Sequence, residues 1–200
     1  FRERESKCVS LIGMAGVGKT RVSAVLRRHD WFHYSVDYRI GTRYLGEPIL
    51  EDIKARAMEV PFLFDLLRSD SIYINNNITV ENLHPVTSFL GHPGNPVRGG
   101  LSLPEFRRRQ DLYRWALAEA MRDVPEFIRR GREIYGYRRF IIDTPGSLCE
   151  LDGPDAAETL ARHSVVVHVR PAEGDRERLF LELAGDRRPL CYRKEFFDGQ

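Results

Sequence analysis

The sequence predicts an α/β fold of three layers, in which a parallel sheet lies between two layers of helices. Apolar runs of strand length alternate with helical segments along the chain, and such alternation indicates a parallel sheet with helices on both faces. A length of 200 residues suits one α/β domain with a full core and an inserted lobe. We therefore expect a single domain over residues 1–200.

The individual elements follow from periodicity and from proline, glycine and capping residues. The predicted strands are short apolar runs at residues 9–12, 32–36, 140–143 and 165–169. The predicted helices cover about residues 21–28, 48–58, 61–67, 102–122, 123–135, 155–163 and 171–184, with one further turn of helix at Pro85. In the first of them, Val22, Val25 and Leu26 share one apolar face.

A long segment separates the second and third strands. Residues 44–138 are mostly helical in prediction and form an insert that serves as a substrate or partner lobe. Its longest helix opens with Ser102 and Glu105, and the next helix opens with Asp123 and Glu126. Both pairs have the spacing of a capping box, in which each side chain bonds to a free backbone N–H of the first turn. Phe106 and Trp115 are predicted to be core residues.

The most specific motif is Gly-Met-Ala-Gly-Val-Gly-Lys-Thr at residues 13–20, which fits G-x-x-x-x-G-K-[ST]. Its glycines let the backbone wrap closely around a phosphate, and the following helix adds its positive end. Lys19 is expected to reach the β- and γ-phosphates, and the Thr20 hydroxyl to ligate Mg²⁺. A glycine-rich turn that matches by chance is the alternative, but the flanking strand and helix argue against it. The predicted nucleotide-binding residues are Gly13, Ala15, Gly16, Val17, Gly18, Lys19, Thr20 and Arg21.

Asp143 ends the third predicted strand, where an acid beside such a loop holds Mg²⁺ directly or through water. Its structural alternative is an aspartate that caps a turn. Asp143-Thr-Pro-Gly146 also fits the D-x-x-G switch of GTPases, in which the glycine amide senses the γ-phosphate. Because the sequence has no N-K-x-D motif for reading guanine, ATP is favoured over GTP.

Asp37 closes the second predicted strand and is therefore expected beside the phosphate loop. It is a candidate for the base that accepts a proton from an acceptor hydroxyl, or for a group that positions Mg²⁺. Equally, it could cap a helix or pair with Arg39 or Arg43.

These residues carry a family resemblance. Asp37-x-x-Ile40-x-x-Arg43 resembles the segment after the second strand of shikimate kinases, and residues 171–173 with Arg187-Arg188-Pro189-Leu190 resemble the stretch that leads into their lid. The strands at 140–143 and 165–169 also resemble the adenylate-kinase pattern. The resemblance implies a small-molecule kinase that uses ATP, with residues 186–200 at the start of the lid. It also implies that Arg188, or its rival Arg187, reaches the ATP phosphates.

The departures from that pattern concern the acceptor. Ser35 and Gly41 stand where shikimate kinases have acids, and residues 143–146 replace the glycine triplet that cradles shikimate. The insert is also far longer than in that family. We therefore expect an acceptor other than shikimate. Locally, the phosphate loop is also similar to that of the regulatory STAND ATPases, although their second Walker-B aspartate is replaced by Thr144.

The arginine-rich helices, at residues 107–109 and 129–132, carry interspersed acids and are predicted to be solvated faces. A nucleic-acid partner is unsupported because aromatic residues do not alternate with these cations. Arg98, in a glycine- and proline-rich loop, is a candidate for a substrate anion, as is Arg43.

Net charge, apolar runs and cysteine content limit the partners and the cellular compartment that the sequence predicts. A net charge of +2 implies neither a nucleic-acid coat nor a membrane surface, and no apolar run approaches the roughly 20 residues that span a bilayer. Three cysteines without metal-binding or disulfide spacing fit a reducing cytoplasm. The first residue is not Met, and we expect both ends to be trimmed.

Together these features predict a Mg²⁺-dependent, ATP-binding enzyme that transfers a phosphoryl group to a small molecule. The alternative is an ATP-hydrolysing switch in which the turn at residues 143–146 moves and the insert binds a protein partner.

Overall fold

Four parallel strands form the centre of the structure, a computed structural model that describes residues 6–150, 155–175, 177–179, 181 and 192. In chain order the strands are β1 (Lys7–Ile12), β2 (Phe32–Ser35), β3 (Arg139–Asp143) and β4 (Val165–His168). Their spatial order is β2-β3-β1-β4, and every pairing is parallel. The predicted α/β class with a parallel sheet is confirmed.

Eight α-helices are described. They are α1 (Lys19–Arg27), α2 (Val36–Arg39), α3 (Gly46–Met58), α4 (Pro61–Arg68), α5 (His84–Leu90), α6 (Leu103–Arg122), α7 (Val124–Glu133) and α8 (Asp155–His163). A π-helical turn at Ile40–Tyr44 and 3-10 turns at Pro96–Arg98 and Gly146–Glu150 complete the described regular structure. Residues 177–179 and 181 are helical where a last helix was predicted, and its remaining residues lie outside the described part of the chain.

Helices lie against both faces of the sheet. Helix α1 packs on β2 and β3, whereas α7 packs on β2 and α8 packs on β4, α6 and α7. The β1-to-β2 and β3-to-β4 connections run in opposite directions along the sheet, so right-handed crossovers put α1 and α8 on opposite faces. This arrangement is compatible with three layers.

The core links the sheet to the long segment between β2 and β3. Phe140 and Ile142 of β3 share one buried cluster with Tyr113 and Leu117 of α6. Phe106, Tyr113 and Leu117 of α6 are all buried, and burial of side chains of this size contributes about 1.5–3 kcal/mol each. Within residues 44–138, therefore, α6 and α7 form part of the layer over the sheet. A separate substrate or partner lobe stays a prediction.

Helix α1 does not bury its apolar face against the sheet. Val22 and Val25 are 42% and 49% exposed, whereas Lys19 and Ser23 are the buried residues. The apolar periodicity is real, but it faces a cavity rather than the sheet. Trp115, predicted to be core, is also half exposed, at 50%, with its ring edge-on to Tyr44.

Both predicted capping boxes are wrong in their hydrogen bonds. Ser102 and Asp123 occupy the N-cap positions, but neither side chain caps its helix. The Asp123 carboxylate instead accepts hydrogen bonds of 2.7 Å from Arg39 Nε and from Tyr44 Oη. The fold brings Arg39 close to Asp123. The carboxylate bonds to this charged group rather than to the local backbone N–H, because charge-assisted hydrogen bonds are stronger.

The arginine cluster of α6 is likewise not uniformly solvated. Arg109 is 4% exposed, and its guanidinium donates to Asp52, to Glu105 and to the carbonyl oxygen of Phe89. The Glu105 carboxylate, predicted to reach back to the helix start, is held by Arg108 and Arg109, which together bring its pKa down to about 2. Hydrogen bonds to partners distant in sequence offset the free-energy cost of burying the Arg109 guanidinium.

Candidate nucleotide-binding site

The candidate site lies outside the carboxyl ends of β1 and β3. These neighbouring strands send their connections in opposite directions, and ligands of open α/β sheets bind at such a switch point. The glycine-rich loop at residues 13–18 follows β1, and residues 144–146 follow β3. Register pairs Asp143 with Leu11 of β1 and with Ser35 of β2, so the ends of these three strands are level.

The loop conformation explains its glycines. Gly13, Gly16 and Gly18 have φ angles of 141°, 80° and 92°, which L side chains rarely adopt. Gly13 also lies against the residue after β4, where an added Cβ would be 2.3 Å from the Val169 carbonyl oxygen. The loop is therefore fixed at its start by the sheet and at its end by α1.

Lys19 is folded back over this loop. It is 6% exposed, and its Nζ donates hydrogen bonds of 2.7 Å to the carbonyl oxygens of both Gly13 and Met14. A buried ammonium needs such partners, because its desolvation is costly in free energy. The next residue, Thr20, lies in the first turn of α1 with its side chain exposed.

A cleft of about 640 Å³ opens in front of these residues. Its lining residues come from the loop and α1, from Asp37 and residues 144–146, and from the segment 80–84 with Thr87. The cleft thus brings together residues that sequence analysis predicted from three separate strands. The predicted site residues among its lining are Ala15, Gly16, Gly18, Lys19, Thr20, Arg21, Asp37 and Gly146.

Asp143 lies at the end of β3 with 5% of its side chain exposed. Its Oδ2 is 3.6 Å from Nε2 of His33, a side chain that is itself only 2% exposed. That nitrogen has no hydrogen-bond partner among the described residues. His33 was missed by the sequence prediction, and its only signal was a polar residue within an apolar strand.

Asp37 lies in the first turn of α2, two residues beyond the end of β2, rather than closing the strand as predicted. Burial raises its pKa from 3.8 to about 6, and the negative charge of Asp143 adds to this, while Lys19 and Tyr113 oppose it. The Tyr113 hydroxyl donates to Asp37 Oδ1 at 3.4 Å. Neither of the predicted partners, Arg39 and Arg43, pairs with it; Arg39 bonds to Asp123 instead.

Residues after β3 pack directly on the phosphate loop. The Thr144 hydroxyl donates to the Leu11 carbonyl oxygen at 2.7 Å. Gly146 lies so close to Ala15 that an added Cβ would be 2.4 Å from its backbone nitrogen. Only glycine fits there, so a displacement of either segment is transmitted to the other.

A second cavity, of about 670 Å³, adjoins the same loop on its other side. It shares Gly16–Gly18 and Arg21 with the loop and first turn of α1, and its remaining lining is largely apolar. The apolar residues are Val22, Val25, Leu26, Pro171, Ala172 and Leu179. This cavity is the reason why the valines of α1 are exposed.

Other predicted residues lie elsewhere. Arg43, in the π-helical turn, and Arg98, in a 3-10 turn, are not among the lining of either cavity, and their roles as anion or phosphate sensors stay predictions. Arg187 and Arg188 lie outside the described residues. Within the predicted lid at 186–200, the structure describes Tyr192 alone. The segment 80–87 was missed as a site element because it carries no periodic pattern.

Comparison with protein-family models, with curated proteins and with solved structures finds no match to this chain. Among the described residues, no group of three or more His, Cys, Asp or Glu side chains could hold a metal ion by itself. The same part of the chain contains no helix long and apolar enough to cross a membrane.

Proposed function

We propose that this chain is a Mg²⁺-dependent, ATP-binding phosphotransferase of the P-loop type that acts on a small molecule. The observation that carries the proposal is the conformation of the loop. Three left-handed glycines hold it open around the Lys19 ammonium, which rests on two loop carbonyls at 2.7 Å. Phosphate oxygens would be stronger partners for this ammonium than the carbonyl groups, because they are charged.

The residues present fit Mg²⁺. This ion binds through one or two protein oxygens together with phosphate oxygens and water, so it needs no cage of side chains. The Thr20 hydroxyl and the Asp143 carboxylate would hold it, and when bound it neutralises charge on the phosphates. The buried Asp143 carboxylate has the His33 ring as a neighbour at 3.6 Å, and a cation bound beside the carboxylate would compensate its burial.

Asp37 would act as the base. Its pKa of about 6 lies close to neutral pH, where a general base combines ionisation with proton affinity. In the transfer, an acceptor hydroxyl gives its proton to the Asp37 carboxylate while its oxygen forms a bond to the γ-phosphorus. The bond from that phosphorus to the β,γ-bridging oxygen breaks, and ADP leaves. Lys19 and Arg21 would stabilise the charge on the phosphates.

The second cavity supports the proposal because it would hold the nucleoside part of the nucleotide. Its apolar lining, formed by α1 and by Pro171, Ala172 and Leu179, suits the faces of a planar base, and the cavity adjoins the phosphate loop at Gly16–Gly18. The proposal also includes the finer fold, a three-layer P-loop domain, with the strand order β2-β3-β1-β4 as its support. The predicted lid arginine, Arg188, remains part of the proposal.

The test follows the label of γ-labelled ATP with Mg²⁺, in the presence and absence of a metabolite extract. We expect label on a new small molecule, and we expect Lys19→Ala to lower the rate about 10²–10³-fold, as for loss of one charge-stabilising group. Asp37→Asn should abolish transfer while nucleotide binding, measured by fluorescence of a labelled nucleotide, stays within about two-fold. Lys54→Ala and Asp65→Asn, at exposed positions outside the cleft, serve as controls.

A second candidate function is an ATP-hydrolysing switch, and the close contact between Gly146 and Ala15 favours it. Loss of the γ-phosphate would let the turn after β3 move away from the loop. Label found only as free phosphate, at a rate unchanged by extract and by Asp37→Asn, would support the switch and refute the transferase.

A further inference from the structure

We propose that the segment 80–87, hereafter the acceptor wall, binds the phosphoryl acceptor, and that this acceptor is a hydroxyl-bearing small molecule without net negative charge. The inference rests on the proposed phosphoryl transfer and adds the class of its substrate. It starts from the shared cleft: Lys19, Asp37 and the acceptor wall line the same space of about 640 Å³. That volume lies within the range of small-molecule sites, about 300–1,000 Å³.

The acceptor wall is anchored to the turn that follows Asp37. Ile78 and Val86 are 8% and 1% exposed, and both pack on Gly41 of the π-helical turn. A Cβ at Gly41 would be 2.8 Å from Val86 Cγ2 and 3.0 Å from Ile78 Cγ2. A side chain at position 41 would collide with both residues, so the absence of a side chain at Gly41 lets the acceptor wall pack against this turn.

Hydrogen bonds within and next to the acceptor wall fix its backbone. Thr79 and Asn82 exchange backbone hydrogen bonds of 3.1 and 3.2 Å, and the Asn82 N–H also donates to Thr79 Oγ1 at 2.9 Å. The Asn82 amide donates to the Asn77 carbonyl oxygen and accepts from the His84 N–H. Asn82 therefore holds the wall in shape. A wall whose polar groups are bonded in this way is preorganised, and it binds with little ordering entropy.

Three side chains of the acceptor wall then supply the chemistry: Glu81, His84 and Thr87 line the cleft. His84 bonds through Nδ1 to Ser88 Oγ at 3.3 Å, which orients its ring, and Thr87 carries a hydroxyl. Carboxylate, imidazole and hydroxyl groups are suited to hydrogen bonds with hydroxyl groups. The wall thus matches a polar acceptor with hydroxyl groups rather than an apolar one.

Charge decides between neutral and anionic acceptors. Asp37 and Glu81 both bring carboxylates to this cleft. Glu81 lies 3.6 Å from Arg27, but both side chains are exposed, so this ion pair neutralises little of the Glu81 charge. The cations of the described lining, Lys19 and Arg21, belong to the phosphate side. An acceptor with its own carboxylate or phosphate would face Asp37 together with the more exposed Glu81, and like charges in one site are disfavoured.

The test separates the metabolite extract on an anion exchanger near neutral pH and assays both fractions with γ-labelled ATP. We expect the flow-through, which holds neutral and cationic molecules, to support label transfer. Transfer supported by the retained anionic fraction alone would overturn the inference while leaving the phosphotransferase intact. Transfer with neither fraction would overturn the proposed function and this inference with it.

A variant then tests the acceptor wall. His84→Ala should raise the half-saturating amount of the active fraction about five-fold, as for loss of one hydrogen bond, and leave the half-saturating ATP concentration within about two-fold. His92→Ala, an exposed histidine outside the cleft lining, should change neither. Equal effects of His84→Ala on acceptor and ATP, or none on the acceptor, would refute the assignment of the wall.

Discussion

Replacing Asp37 by Asn should stabilise the folded protein while it removes phosphoryl transfer. The reason is the environment of the carboxylate, in which burial and the charge of Asp143 oppose ionisation. Asparagine has nearly the same shape and no charge, so it keeps the contact with Tyr113 and removes the repulsion. Active-site groups that are poised for chemistry often reduce stability in this way.

The magnitude follows from linkage. The pKa of Asp37 rises from 3.8 to about 6 on folding. Between these values the unfolded chain loses the proton while the folded chain keeps it, so stability falls as pH rises through this window. A pKa difference of one corresponds to about 1.4 kcal/mol, so the full penalty reaches up to about 3 kcal/mol above pH ~6. This is an upper value because the side chain is only partly buried.

Urea unfolding without nucleotide, from about pH 4 to about pH 8, measures the effect. Asp37→Asn and the wild-type protein should have similar unfolding free energies at the acidic end, and the variant should become more stable by about 1–3 kcal/mol at the other. Asp65→Asn, at an exposed position of α4, controls for the amide itself and should follow the wild type. A variant no more stable than wild type near neutral pH would refute the electrostatic argument.

Three further predictions concern other parts of the structure. Gly146→Ala should weaken nucleotide binding about ten-fold or more, measured with a fluorescent nucleotide, because its Cβ would displace the phosphate loop. His33→Ala should raise the Mg²⁺ concentration for half-maximal activity several-fold through Asp143 and leave metal-free nucleotide binding unchanged. Arg109→Ala should lower the unfolding free energy by about 3–5 kcal/mol, whereas Arg108→Ala, on the exposed side, should change it by about 1 kcal/mol or less.

Each of these has a contrary outcome. Wild-type nucleotide affinity in Gly146→Ala would show that the loop and the turn after β3 are not coupled. A His33 variant with altered metal-free binding would point to a general packing role. Equal destabilisation by the two arginine variants would remove the distinction between the buried and the exposed member of the cluster.

Local patterns predicted the strands well because β1, β3 and β4 are short, mostly apolar runs and β2 alternates Phe32 and Tyr34 with polar residues. The glycine positions of the phosphate loop were equally predictable, since only glycine readily adopts the φ angles found there. These features depend on residues that are neighbours in the chain.

The features that the sequence did not predict share a different cause. The valines of α1 have helical periodicity, but period alone does not tell a core from a cavity. Asp123 has the spacing of a cap, yet its carboxylate accepts hydrogen bonds from Arg39 and Tyr44. These residues are about 80 positions distant in sequence. The acceptor wall was predicted only as a turn of helix at Pro85, and its position depends on a contact with Gly41.

The sequence by itself determined the parallel α/β sheet and the glycine-rich loop after β1, because both depend on backbone conformation and on short apolar or glycine-rich runs. Only the tertiary structure decided which side chains surround that loop. The approach of His33 to Asp143, the burial that raises the pKa of Asp37, and the seating of the acceptor wall on Gly41 all join residues far apart in the chain. Such contacts are selected by packing and desolvation of the whole domain, and no local run of residues encodes them.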